Sequence, residues 1–113
     1  MIAKAKKSSQ EISERLKKIS EVVKRVIKEE KLEKKIKSVF VFGSAAHGKE
    51  TKNSDIDFMV EFLEPIGLIK FCGIKLKLED VMGKSVDLLT PNSVHPALRE
   101  EIFSSLKIVY EKR

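Results

Sequence analysis

Two aspartates one residue apart, Asp55 and Asp57, open the run Asp55-Ile56-Asp57-Phe58-Met59-Val60-Glu61-Phe62. The run has strand character, and in a strand the side chains at i and i+2 project the same way. Asp55 and Asp57 therefore share one face, while Ile56, Phe58 and Val60 take the other. Two parallel carboxylates repel each other unless a cation lies between them. Hard oxygen donors of this kind suit Mg²⁺ or Mn²⁺, which retain waters and take further ligands from substrate phosphates. A third carboxylate, Asp87, interrupts the apolar run Ser85 to Thr90. Buried strands rarely carry an Asp without a partner. With this strand beside the first, the three carboxylates could hold two metal ions about 3.5–4 Å apart. One ion would grip a triphosphate; the other would lower the pKa of an attacking hydroxyl.

Ahead of the carboxylates, Val39, Phe40, Val41 and Phe42 read as a short buried strand that stops at Gly43-Ser44. A tight turn with free backbone N–H groups is expected there. Ser44 is a favoured N-cap type and Ala45 and Ala46 are good helix formers, so the pattern predicts a short helix with its positive end facing the turn. Such an end attracts phosphate.

The ordered motifs Gly-Ser-Ala-Ala-His-Gly, Ser-Asp-Ile-Asp-Phe-Met-Val-Glu-Phe and the segment ending Ser-Val-Asp-Leu-Leu-Thr-Pro resemble the minimal nucleotidyltransferases (MNT proteins) of the DNA polymerase β superfamily, which are paired with HEPN toxins. The resemblance runs from about Val39 to the C-terminus. It implies an α/β (α+β) fold: a polymerase β-like core whose small mixed sheet is flanked by helices. It also implies that Gly43 and Ser44 contact the β and γ phosphates of ATP, and that Asp55, Asp57 and Asp87 form the catalytic, metal-binding set, with two Mg²⁺ ions (or Mn²⁺). The implied reaction moves AMP to a tyrosine hydroxyl of a cognate HEPN-type toxin, which makes the protein an antitoxin. His47, counted with Gly43 and Ser44 in the nucleotide-binding set, stands where the family pattern has Arg. A fixed cation is thereby replaced by a side chain largely neutral at pH 7. Two other readings use the same residues: an antitoxin that neutralises its partner by binding alone, and nucleotidyl transfer to a small molecule or RNA.

The elements that must position these residues fit one small domain. At 113 residues there is room for a single core, and 42% hydrophobic content is ordinary for a soluble chain. Residues 1–37 read as a basic amphipathic helix and its connection, and 38–113 as the nucleotidyltransferase domain. Ser8 with Glu11 is a capping-box pattern, and Ile12, Leu16, Ile19, Val22, Val23, Val26 and Ile27 recur at helical spacing. Packing of this stripe on the chain's own sheet is the expected arrangement. The net charge of +6 lies in this segment, which holds 13 Lys and Arg against 6 Asp and Glu, whereas the rest holds 10 against 11. The site-bearing part is close to neutral, which argues against direct nucleic-acid binding.

Further on, Ile66 to Val81 reads as a helix ended by Gly83, with Leu68, Ile69, Phe71, Leu76 and Leu78 expected in the core and Cys72 as a small core residue. Ser93 to Leu106 reads as a last helix with Leu98, Ile102 and Leu106 in register, before a short apolar end at Ile108 to Tyr110. A single cysteine excludes an internal disulfide, and His47 and His95 lack zinc-site spacing. No apolar run is long enough to cross a bilayer and no signal-peptide pattern is present, so a cytoplasmic protein is expected.

Overall fold

The structure, a computed structural model, describes residues 9–49, 51 and 53–112, with the side chains from residue 12 onward in the first helix. The capping pattern of Ser8 with Glu11 falls outside the residues so described. The chain runs α1 (Ser9–Glu29), β1 (Ile36–Phe42), β2 (Ile56–Phe62), α2 (Leu68–Met82), β3 (Val86–Leu89), α3 (Arg99–Ser104) and β4 (Lys107–Glu111). The strands form one mixed sheet in the order β3-β2-β1-β4. β1 pairs antiparallel with β2 and with β4, while β2 and β3 run parallel. A parallel pair needs a crossover connection, and α2 supplies it.

Alternation along the strands sorts the side chains into two cores. On one face Val41, Ile56, Phe58, Val60 and Val86 pack under Ile19, Val23, Val26 and Ile27 of α1 and Ile74 and Leu78 of α2. The α1 stripe is thus buried on the chain's own sheet, each such side chain contributing on the order of 1.5–3 kcal/mol. On the other face Phe42, Met59 and Val94 form a smaller cluster, with Phe40, Leu89, Ile102 and Leu106 against it. Asp57 alternates with Phe58 and so lies on this second, thinner side, at the end of the strand. β1 starts three residues before the expected Val39, at Ile36. Ser38 is tolerated inside the sheet because its hydroxyl donates to Glu61 Oε1 at 2.9 Å.

Three expectations need correction. Ala45 and Ala46 do not begin a helix; residues 43–48 are consecutive turns. The N–H of Lys49 donates to the Ser44 carbonyl (2.8 Å) and that of Gly48 to the Ala45 carbonyl (3.4 Å), with Gly48 at φ 70°. This is the bond pattern of a Schellman closure, which keeps the turn from continuing into a helix. Both alanines are spent on the core, at 1% and 2% exposure.

The second correction concerns α2. Ile74 and Leu78 are buried, but Leu68 (76%), Ile69 (90%) and Leu76 (63%) are exposed, as is Cys72. Phe71 is partly buried, its ring edge-on to Phe62 at 6.3 Å. Only one narrow side of α2 meets the sheet, and its apolar residues lie nearly all round, so periodicity does not reveal which side turns inward.

The third is the last helix. Two 3₁₀ turns, Pro91–Ser93 and Pro96–Leu98, occupy the first half of the expected span, leaving α3 only Arg99–Ser104. Pro96 lacks an N–H and forces the preceding residue out of the helical region; His95 has ψ 134°. Ile102 and Leu106 reach the core, but Leu98 stays 48% exposed.

Candidate active site

Parallel pairing of β2 and β3 sets Asp57 directly beside Asp87. Antiparallel pairing of β1 and β2 sets Asp57 opposite Phe42, next to the Gly43 turn. Asp55 precedes β2 by one residue and is exposed, like Asp87, whereas Asp57 is half-buried. The three carboxylates are therefore neighbours at one end of the sheet. Burial, first, and then a hydrogen bond to the Asp87 carboxyl and the charges of Asp87 and Asp55 push the pKa of Asp57 up from 3.8 to about 6. Crowded carboxylates of this kind mark a place where a cation could stand.

The Gly43 backbone completes the site. It has φ 70°, and a Cβ built on it would overlap Asp57 Oδ2 and lie 3.4 Å from Asp57 Cγ. Only glycine lets the turn sit against that carboxylate. Ser44 anchors the turn, its carbonyl accepting from the N–H groups of His47 (3.2 Å) and Lys49 (2.8 Å). His47 is exposed.

Among the described residues, no three His, Cys, Asp or Glu side chains close around a metal ion by themselves. The carboxylates form an open ledge that offers part of a coordination shell, and the hard oxygen set fits a small divalent ion completed by waters and phosphate oxygens. Concavities of 670 and 500 Å³ occur elsewhere, around Phe62, Pro65 and Asn92 and around Leu32, Gly67 and Gly73. Neither is lined by the aspartates. The first adjoins the far end of β2, five residues beyond Asp57 along the strand.

Two residues that the spacing does not single out hold the strand ends. Glu79 of α2 accepts the Val86 N–H at 2.9 Å and Lys75 Nζ at 3.4 Å, and these contacts, the Val86 bond first, keep its pKa low. Lys84 Nζ donates to the Thr51 carbonyl at 2.8 Å. Their only sequence signal is proximity to the Asp87 strand.

Residues 21–113 match the family described as polymerase beta, nucleotidyltransferase. The chain belongs to this family. A provisionally named protein adenylyltransferase of Methanocaldococcus jannaschii is 38% identical over 92 residues, covering 80% of this chain and 94% of the relative. The same fold is found in a chain of a solved toxin–antitoxin complex with AMP-PNP, with TM-score 0.68 and 21% identity over 83% of this chain and 74% of that one. A complex of a tri-AMPylated HEPN toxin with its MNT antitoxin from Shewanella oneidensis gives TM-score 0.60 and 20% identity, covering 88% of this chain and 72% of that one. The four-stranded mixed sheet and its helices are also the fold of a solved structure provisionally named a minimal nucleotidyltransferase, with TM-score 0.66 and 28% identity over 81% of this chain and 93% of that one. No helix among the described residues is long and apolar enough to cross a membrane.

The raised pKa of Asp57 has a consequence for the metal-free protein. With the folded-state pKa above the unfolded one, protonated Asp57 favours the fold below pH 3.8, and this contribution is lost as pH rises through about 6. The melting temperature of EDTA-treated protein should therefore fall across that window relative to Asp57→Asn, and Mg²⁺ should restore more of it above pH 6 than below. Parallel pH profiles for wild type and Asp57→Asn would refute the assignment.

Proposed function

We propose that this protein transfers AMP from ATP to a tyrosine hydroxyl of a cognate HEPN-type toxin and thereby silences it. The observation that carries the reading is the register of β2 on β3, which pairs Asp57 with Asp87, together with the glycine backbone packed on Asp57. Family membership supplies the reaction class; the name of the Methanocaldococcus relative and the AMPylated toxin of the Shewanella complex support the acceptor. The AMP-PNP bound in the other complex supports an adenine nucleotide.

Asp55, Asp57 and Asp87 would hold one or two Mg²⁺ ions, with Mn²⁺ as a substitute. Bound there, the metal supplies charge neutralisation of the triphosphate and a lower pKa for the attacking hydroxyl. The chain's own groups do the rest. Gly43 and Ser44 place turn backbone next to the carboxylates, where phosphate oxygens would lie. The acceptor oxygen attacks the α-phosphorus, a new O–P bond forms, the bond to the β-phosphate oxygen breaks, and pyrophosphate leaves with the electron pair. The hydroxyl proton passes to the exposed Asp87 carboxylate. An open ledge suits an acceptor carried on another macromolecule better than a small one needing an enclosing pocket.

Calorimetric titration with ATP, with and without Mg²⁺, tests the reading. Binding is expected only with the ion, because Asp55 and Asp57 repel a bare triphosphate. Equal affinity in EDTA would sink the metal assignment. So would normal Mg²⁺-ATP binding by the double variant Asp55→Asn, Asp57→Asn.

A further inference from the structure

Asp55 stands outside the strand ladder, which begins at Ile56 paired with Val86. Its position therefore depends on what fixes the chain on either side. On the C-terminal side, Ile56 N–H donates to the Ser85 carbonyl at 3.0 Å. On the N-terminal side is a closed turn, Thr51 to Ser54. Ser54 N–H donates to the Thr51 carbonyl (3.1 Å), Thr51 N–H donates to Ser54 Oγ (2.9 Å), and the two hydroxyls lie 3.1 Å apart. A turn of this kind on the surface opens readily unless something outside it holds it. Lys84 does so, reaching across from the residue before Ser85 to the same Thr51 carbonyl at 2.8 Å. A carbonyl oxygen has two lone pairs, so it accepts the Ser54 N–H and the lysine together.

We propose that Lys84 is a positioning residue of the active site: by fastening the Thr51–Ser54 turn to the start of β3, it fixes where the Asp55 carboxylate stands relative to Asp87. The bond joins the segments that lead into the two carboxylate-bearing stretches, one on each side of the β2–β3 pair. Without it, mutual repulsion of the carboxylates favours swinging the Asp55 segment outward, because nothing in the ladder holds that residue. In this role Lys84 acts through its bond to the Thr51 carbonyl. The functional consequence rests on the nucleotidyltransferase reading given above; the clamp itself does not.

The test compares wild type, Lys84→Met, Lys84→Arg and Ser54→Ala by amide exchange at residue 54, by Mn²⁺ titration without nucleotide, and by AMP transfer. Lys84→Met removes a charge-assisted bond, so exchange at residue 54 should quicken about tenfold. Mn²⁺ affinity should fall about threefold to tenfold, and kcat should fall with KM for ATP little changed. Lys84→Arg, which keeps a donor of similar reach, should recover most of both. Ser54→Ala loosens the same turn from the other side and should lower Mn²⁺ affinity and kcat as Lys84→Met does. Two results overturn the proposal: unchanged exchange and Mn²⁺ affinity in Lys84→Met, or a raised KM for ATP as its sole effect, which would make Lys84 a direct phosphate contact. Wild-type protein that binds no Mn²⁺ would remove the metal-site reading and the proposal together, whereas equal binding by wild type and Lys84→Met removes the proposal alone.

Discussion

Gly43→Ala should cost about a hundredfold in AMP transfer while leaving a folded protein. Two effects act at the same place. A left-handed backbone such as φ 70° costs an alanine roughly 1–2 kcal/mol, and its Cβ would also collide with Asp57 Oδ2. The clash is with the end of a side chain, so the carboxylate moves and the fold survives. Yet in the proposed reaction Asp57 is the group that must not move, and displacing a group at a reacting centre by about 1 Å typically costs on the order of a hundredfold. The stability loss should stay within about 1–3 kcal/mol, the range for a strained residue. Gly73→Ala is the control, since its added methyl meets nothing within 4 Å and replaces glycine inside a helix, where alanine is favoured by up to about 1 kcal/mol. Both glycines are read by urea melts and by transfer of labelled AMP. If Gly43→Ala keeps wild-type transfer, the close approach of turn and carboxylate is not part of the site.

Much of this site is legible in the residues because its geometry is local. The period-2 rule puts Asp55 and Asp57 on one side of the chain and Ile56, Phe58 and Val60 on the other, and the last three are buried at 1% exposure or less. The placing of Asp87 needs one further step, the pairing of β3 with β2. A strand, a helix and a second strand in sequence make that parallel neighbour the natural outcome, and the register then sets the two aspartates side by side.

What escapes sequence reading depends on contacts between distant segments. Ala45 and Ala46 have the composition of a helix start, but Gly48 at positive φ closes the turn and the core takes both methyl groups. α2 is apolar on several sides, so only the sheet decides that Ile74 and Leu78 go in while Ile69 and Leu76 stay out. His95 and Pro96 together cut the last helix, a local signal that the spacing of Leu98, Ile102 and Leu106 outweighed. Glu79 and Lys84 hold backbone groups with long side chains, and such bonds leave no pattern in a single sequence.

The division of labour within the carboxylate set separates transfer from masking. Asp57 lies between Gly43 and Asp87, half-buried, so Asp57→Asn should weaken both Mg²⁺-ATP binding and transfer. Asp87 is exposed at the edge strand, the position from which a carboxylate can meet an incoming hydroxyl. Its loss should act mainly on the chemical step. Asp87→Asn is expected to keep Mg²⁺-ATP affinity within about threefold of wild type while transfer of labelled AMP to a co-expressed toxin falls about a thousandfold, the scale for removing a group that acts in the transition state. Cells should lose protection from the toxin in step with the lost label. His47, which offers a triphosphate no fixed guanidinium fork, favours a second outcome in which binding suffices. Protection by Asp87→Asn without any label on the toxin would establish that outcome, because the variant keeps the surface and loses only the chemistry.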